Sequence, residues 1–364
     1  MKLIHTADIH LDAKTGTHLS KEKAKERRGE ILNTFLGMID YAEKNDVQGI
    51  LISGDLFDVK NISKLCRNSV VKAIESHPNI LFFYLRGNHD WTPLYEADQT
   101  IPDNLKMFST DWSSYPLSDI VTVTGAELSD ENPALYDRLS LQPDRINIVM
   151  LHGQTSPTAG NSSKDIVRLK ALQNRYIDYL ALGHIHKYER EKLDNRGVYV
   201  YPGCLEGRGY DEFGVKGFVL LDINESEKLI TSSFVPFAKR TVFDLPVDVT
   251  NASSTGEIKD YIDNAIQDSG ARDSDLVRIE LTGEVDAETE KDPDHLRTVY
   301  KDRFYDFSIK DRSKTVVRYE DYLGDISLKG EFVRIVQEEN LPPEEASEII
   351  RTGLKALAGE DWQR

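Results

Sequence analysis

Five short blocks, Asp8-Ile9-His10, Gly54-Asp55, Gly87-Asn88-His89-Asp90, His152-Gly153 and Gly183-His184-Ile185-His186, follow one another along the chain and hold five of its nine histidines. Carboxylate, imidazole and amide oxygen together favour manganese, iron or zinc over a thiolate-selected metal, and they differ from the all-oxygen cages of calcium. Manganese is the first expectation, with iron or zinc behind it. Each block alone is weak, because Asp-x-His arises by chance and a lone strand histidine is more often a hydrogen-bonded core residue. Their joint occurrence points to two divalent ions sharing one carboxylate. Ions held about 3.5–4 Å apart polarise a phosphoryl oxygen and acidify a bridging water, which is the chemistry of phosphate ester hydrolysis. The transition state gathers negative charge, so a cationic imidazole beside it stabilises it more than the ground state. His89 is the candidate. The plainer reading makes His89 a supporting histidine held by Asp90. His5, His18, His77 and His295 lie outside the blocks and read as packing or surface residues.

The blocks need elements to position them. Each follows an apolar, partly β-branched run that reads as a buried strand: Lys2-Leu3-Ile4, Gly49-Ile50-Leu51-Ile52, Ile80 to Tyr84, Ile146 to Met150, and Tyr179 to Leu182. In an open α/β sheet the carboxyl ends of the strands form the ligand crevice, so fold and chemistry point to one place. Residues i and i+2 of an extended segment face the same way, which brings Asp8 with His10 and His184 with His186. Helices are expected over Ser20 to Lys44, with Ile31, Phe35, Met38, Ile39 and Ala42 on one face, over Ser63 to Ser76 and over Lys164 to Asn174. The basic Lys21 to Arg28 reads as a solvated face. Strands at Gly197 to Tyr201 and Gly217 to Leu221 flank a glycine-rich loop and close a first domain, 1–237.

From Lys239 the pattern changes to a small α+β set: strand Thr241 to Val249, helix Thr255 to Asp268, strand Leu276 to Thr282, helix Asp294 to Arg303 and strand Tyr305 to Ile309. This defines a second domain, 238–318. The extension 319–364 reads as two helices, Gly330 to Gln337 and Pro343 to Ala358, with proline starting the latter.

The length of 364 residues suggests about two domains. No apolar stretch approaches the roughly 20 residues of a membrane span, and the first residues run into a strand rather than a signal-peptide pattern. With Cys66 and Cys204 in no spacing pattern, a soluble protein of the reducing cytoplasm, without a membrane partner, is expected. A formal charge of -17 argues against nonspecific nucleic-acid binding. The objection is partial, because acidic residues crowd the segment from Tyr319 on and bound cations would place positive charge where a phosphate sits.

In His5-Thr6-Ala7-Asp8-Ile9-His10-Leu11, Ser53-Gly54-Asp55-Leu56-Phe57-Asp58, Gly87-Asn88-His89-Asp90, Leu151-His152-Gly153, Leu182-Gly183-His184-Ile185-His186 and Tyr201-Pro202-Gly203, the chain resembles the calcineurin-type metallophosphoesterases. Within them it is most similar to the SbcD family of DNA repair exonucleases and its archaeal and eukaryotic counterparts. The resemblance implies an α/β, four-layer sandwich of two mixed sheets flanked by helices, a small α+β capping domain that helps place DNA, and a helical C-terminal tail that binds an SbcC-like SMC-type ATPase. It implies that Asp8, His10, Asp55 and His186 hold one ion and that Asp55, Asn88, His152 and His184 hold the other, with His89 catalytic. The chain departs from the pattern at Asp58, where relatives often carry histidine, and at Cys204, where serine is frequent and the cysteine reads as a packing residue. Arg208 reads either as a DNA-phosphate contact or as an ordinary loop arginine.

The leading expectation is a two-metal DNA exonuclease or endonuclease in DNA end processing and repair, working with that ATPase and compatible with a homodimer. A small-molecule or cyclic-nucleotide phosphodiesterase or phosphatase independent of DNA is the alternative that the acidic balance favours. A scaffold with a decayed site is disfavoured, since every ligand is present. The tail helices serve equally for packing on their own domain or for partner binding.

Overall fold

A computed structural model describes the chain except residues 14–18, 59–61, 96–98, 133, 157–164, 251, 287–288, 317–321, 323 and 358–364. His18, the start of the helix expected from Lys164 and Ala358 fall outside the described residues. The chain divides into two compact units, Met1–Thr241 and Val242–Arg364, and the two tail helices belong to the second.

The first unit is built on two six-stranded mixed sheets. In the first sheet β1 (Lys2–Thr6), β2 (Gly49–Ser53), β3 (Leu81–Leu85) and β4 (Leu105–Met107) run parallel, and β13 (Gly217–Asn224) and β14 (Leu229–Pro236) extend it antiparallel beyond β1. In the second, β6 (Val121–Gly125), β7 (Ile146–His152), β10 (Tyr179–Gly183) and β12 (Val198–Tyr201) run parallel, flanked by antiparallel edges β5 (Ser113–Pro116) and β11 (Glu189–Lys192). Strand alternation sorts the side chains into layers. Leu3, Leu51, Phe83, Ile148, Met150, Tyr179 and Ala181 fill the space between the sheets. Ile4, Ile50, Ile52, Phe82 and Tyr84 point instead at the helices α1 (Lys21–Lys44) and α2 (Lys64–Ser76). On the far side, Val149, Leu151, Leu180 and Leu182 meet Leu135, Tyr136 and Leu172. The result is the four-layer α/β sandwich, with a thin outer layer over the second sheet.

That outer layer differs from expectation. The segment expected as a helix from Lys164 to Asn174 begins instead as a strand, β9 (Ile166–Arg168), paired with β8 (Gln154–Ser156), and only the single turn α3 (Leu169–Leu172) is helical. The β-branched pair Ile166-Val167 suits an extended, half-buried backbone and loses side-chain freedom in a helix.

Helix α1 starts at Ser20, whose hydroxyl accepts from the Lys23 N–H at 3.2 Å, and it buries the expected face of Ile31, Phe35, Met38, Ile39 and Ala42. Its basic start is not wholly a solvated face. Arg27 is fully buried, donating to Glu30 at 3.0 Å, Glu206 at 2.7 Å and the Gly207 carbonyl at 2.6 Å. Glu206 also accepts from Thr34 Oγ1 and the Lys239 N–H, while Glu30 accepts from Lys239 Nζ and Arg240. Burial alone would push the Glu30 carboxyl up, but the donors Arg240, Lys239 and Arg27 override it and hold it at about 2.

The second unit contains β15 (Val242–Asp248), β16 (Leu276–Thr282) and β18 (Asp306–Asp311), all parallel, with α4 (Thr255–Ser269) joining the first pair and α5 (Pro293–Tyr300) the second. A parallel ribbon of β17 (Glu284–Asp286) and β19 (Lys314–Val316) follows the sheet. The tail helices α6 (Leu328–Glu338) and α7 (Pro343–Leu357) pack on each other through Val333, Val336, Ala346, Ile350 and Leu354. Gly353 makes this possible, because a Cβ there would lie 2.2 Å from the Phe332 ring. Ile335 and Ile349 remain exposed on the outside of the pair. Among the described residues no helix is long and apolar enough to cross a membrane.

Arg27→Ala leaves Glu206 and Glu30 short of a buried charge partner and is expected to lower unfolding free energy by about 3–5 kcal/mol, measured by urea denaturation. Because the folded Glu30 carboxyl lies below its usual value, its contribution is complete above about pH 4.5 and disappears as the pH falls toward about 2. Glu30→Gln is expected to lack that acid-dependent component when the denaturation is repeated at stepped pH.

Candidate metal centre

The loops leaving β1, β2, β3, β7 and β10 meet at the carboxyl ends of both sheets. Asp8 N–H donates to Gly54 O at 3.1 Å, His10 N–H to Asp55 O at 3.0 Å and Gly153 N–H to Gly183 O at 3.1 Å, so neighbouring loops continue side by side after the strands end. The blocks themselves are not extended. Asp8 (φ 51°), His10 (φ 50°), Asp55 (φ 51°) and His184 (φ 104°) all have positive φ, so the i, i+2 strand argument does not explain how Asp8 and His10 converge. Each such residue costs on the order of 1–3 kcal/mol and persists only where its surroundings enforce it. Glycine supplies the close approach between loops. A Cβ on Gly87 would lie 2.1 Å from Asp55 Oδ1, and one on Gly54, itself at φ 90°, 2.2 Å from His152 Nδ1.

All seven residues expected as ligands come together. Asp8, His10 and His186 bring one ligand atom each into a single group, and Asp8, Asp55 and His152 form another. Asp55 Oδ2 stands between the two sides, 3.8 Å from His10 Nε2 and 3.4 Å from His152 Nε2. Asn88 Oδ1 lies 3.0 Å from His152 Nε2 and 3.4 Å from His184 Nδ1. His10 Nε2 and His186 Nε2 are 3.1 Å apart. The His184 N–H donates to both Asp8 oxygens at 2.9 Å. Asp8, His10, Asp55 and His152 are buried, whereas the His89 side chain is 45% exposed at the edge.

Two histidines of this cluster have their outer nitrogens engaged. His152 Nδ1 donates to the Ser53 carbonyl at 2.8 Å, and His186 Nδ1 is bonded to Glu212 Oε1 at 2.6 Å. Those bonds leave the Nε2 lone pairs turned inward, toward Asn88 Oδ1, Asp55 Oδ2 and His10 Nε2. Carboxylate, amide and imidazole atoms that converge in a buried space match the ligand set of a divalent cation. Without a cation, protons would have to fill the gap. Burial pulls the His152 imidazolium down, but the bond and charge of Asp55 lift it to about 9. Burial pushes the Asp8 carboxyl up to about 6, while burial and the Arg208 charge press His10 down to about 2.

Several supporting residues were not legible as such. His89 Nδ1 is held by Asp58 Oδ1 at 2.6 Å, not by Asp90. Asp90 instead accepts the backbone N–H groups of Phe57 at 2.8 Å and Gly87 at 2.9 Å, clamping the loop after β3 to the loop after β2. Arg208 is not a free loop arginine. Its Nη1 donates to Asp58 at 2.8 Å, and its Nε and Nη2 donate to Glu212 at 2.9 and 2.6 Å. A chain of charges therefore runs from His89 through Asp58, Arg208 and Glu212 to His186. Glu212 had no sequence signal, since it sits in an irregular loop. Cys204 is buried against the His186 carbonyl, and burial pushes its thiol up, as expected of a packing residue. His5 is likewise internal, with Nδ1 2.9 Å from the Tyr179 hydroxyl, and burial holds it at about 3. His77 Nδ1 donates to the Ala73 carbonyl at the end of α2.

The chain is similar to several known proteins. The uncharacterized metallophosphoesterase YhaO of Bacillus subtilis is 29% identical over 62% of this chain and 58% of its own length. The DNA double-strand break repair protein Mre11 of Sulfolobus acidocaldarius is 25% identical over 78% of this chain and 76% of its own. A dimetal phosphatase from Danio rerio superposes with a TM-score of 0.41 at 11% identity, covering 62% of this chain and 93% of that one. Residues 1–188, which carry every one of the candidate ligands, match the family model of the calcineurin-like phosphoesterases, and the chain belongs to that family.

Proposed function

We propose that this chain is a two-metal phosphodiester hydrolase that acts on DNA as an exonuclease or endonuclease, in end processing and repair, with an SMC-type ATPase as partner. The observation that carries the hydrolase reading is the inward convergence of His152 Nε2, His186 Nε2, Asn88 Oδ1 and Asp55 Oδ2, with the outer nitrogens of both imidazoles bound to Ser53 and Glu212. Asp8, His10, Asp55 and His186 would hold one ion, and Asp55, Asn88, His152 and His184 the other, with Asp55 between them. Manganese suits this nitrogen and oxygen set, as do iron and zinc. When bound, such a pair supplies charge that withdraws electrons from a phosphoryl oxygen and makes an attacking water acidic.

The protein's own groups do the rest. Asp58 fixes the ring of His89 through Nδ1, and the other ring nitrogen has no protein bond among the described residues. It is available to donate to a phosphoryl or leaving oxygen as charge develops there. Glu212 and Ser53 hold His186 and His152 in the tautomer that presents Nε2. The nuclease reading is supported by the Sulfolobus relative, whose match covers a larger share of this chain than the first unit alone can fill. The net charge of -17 favours a second reading, a small-molecule or cyclic-nucleotide phosphodiesterase or phosphatase. Its distinguishing test is the substrate. Manganese-dependent digestion of end-labelled duplex and single-stranded DNA supports the nuclease, and turnover of cyclic or mononucleotides without any DNA cleavage removes it.

His89→Ala is expected to keep both ions, counted by elemental analysis, while losing most turnover of bis-p-nitrophenyl phosphate, roughly 100-fold or more. Asp55→Ala is expected to lose metal as well as activity, and full occupancy with normal rates would contradict its place between the ions.

Cation binding must displace the His152 proton at neutral pH. Apparent manganese affinity is therefore expected to rise with pH up to about 9, with a further dependence on Asp8 near about 6. Each displaced proton contributes up to about tenfold per pH unit. Calorimetry in buffers of different ionisation enthalpy counts the protons released, and an affinity that stays level from pH 6 to 9 would refute this account.

A further inference from the structure

We propose that the pocket of about 170 Å³ beside Asn88 and His152 is a phosphate subsite, in which Arg86 binds the substrate phosphate that neighbours the one being cleaved. The inference rests on the hydrolase reading above and names a specificity determinant that the metal centre itself does not provide.

Arg86 directly follows β3 and immediately precedes the Gly87-Asn88-His89-Asp90 block. Glu127, two residues beyond β6, receives three of its donors: the backbone N–H at 3.1 Å, Nε at 3.0 Å and Nη2 at 2.7 Å. Glu127 is itself buried, and its own N–H donates to the Ser109 carbonyl at 2.8 Å. The arginine is therefore held at backbone and side chain by one anchored carboxylate.

A guanidinium has two donor edges that can each meet an oxyanion in a fork. Glu127 occupies the Nε–Nη2 edge. On the Nη1–Nη2 edge, Nη2 keeps a second hydrogen and Nη1 makes no protein bond among the described residues, and the side chain is 45% exposed where it lines the pocket. A clamp that only tied the end of β3 to the segment after β6 would need neither an open edge nor a place on this wall. Asn88 and His152, which line the same pocket, reach into the metal cluster, so an anion on Arg86 lies next to the reacting group. Asp165 also lines the pocket and repels an anion, which makes phosphate binding here dependent on the cations.

The ligand is a phosphate of a nucleotide chain, either terminal or internal. Manganese-loaded wild type, Arg86→Ala and Arg86→Lys are compared on bis-p-nitrophenyl phosphate, which has no second phosphate, and on the thymidine compounds TpT, pTpT and TpTpT. For Arg86→Ala, KM for the compounds with a flanking phosphate is expected to rise roughly 10–100-fold more than for bis-p-nitrophenyl phosphate or TpT, the range of one hydrogen-bonded charge. Arg86→Lys retains charge but not the fork and is expected to recover only part of the loss. A loss confined to pTpT assigns the terminal phosphate, and one shared with TpTpT the internal phosphate. Equal losses on all four substrates, or none, overturn the subsite. Calorimetric binding of pTpT and TpT to the manganese-loaded proteins reads the same difference without turnover. If wild type cleaves no diester yet prefers pTpT through Arg86, the hydrolase reading fails and the subsite stands.

Discussion

Unprotonated acceptors do not share a buried space unless something positive lies between them. Asp55, Asn88, His152, His186 and His10 turn oxygen and nitrogen atoms toward one another, and the Nδ1 hydrogens of His152 and His186 are bound outward to Ser53 and Glu212, where they cannot separate them. The rest of the first unit can be understood as the apparatus that enforces this arrangement against its own repulsion. Two sheets packed face to face bring five loops to one rim, and the strands behind them are buried on both faces, so the rim cannot relax by sliding a strand.

The enforcement is specific. Asp90 ties two loops together through their backbone N–H groups, and Gly54 and Gly87 remove the Cβ atoms that would keep the loops apart. Below the rim, the edge-on contact of His5 with Tyr179 links β1 of one sheet to β10 of the other. Around the rim, Asp58, Arg208 and Glu212 alternate in sign, so each fixes the next. Arg86 and Glu127 repeat this pairing on the far side of the cluster, beside Asn88.

The strands carrying the candidate ligands were legible because burial on both faces writes an uninterrupted apolar run, as in Gly49–Ser53 and Ile146–His152. The α1 face was legible for the corresponding helical reason. Edge strands were not: β11 is Glu-Arg-Glu-Lys with every residue exposed, and β5 is Ser-Ser-Tyr-Pro, so neither advertises its pairing. The divisions expected at 237 and 318 rested on changes of pattern along the sequence, and packing forms the compact units Met1–Thr241 and Val242–Arg364. The residue types of the centre could be read directly, but their support could not. Which carboxylate would hold His89, Asp58 or the adjacent Asp90, depends on how loops distant in sequence cross, and proximity in sequence pointed to the wrong one. Burial of Arg27 within a basic run was hidden for the same reason, since its partner Glu206 is 179 residues away.

The left-handed backbone at Asp8, His10, Asp55 and His184 has a bearing on how long such a molecule lasts. Conformational energy spent at these four positions is recovered when a ligand engages the folded form alone, which raises the free energy of unfolding with the logarithm of ligand concentration. Durability is thereby tied to the surrounding supply of divalent cations. With less bound cation the folded form loses that contribution and unfolds more readily.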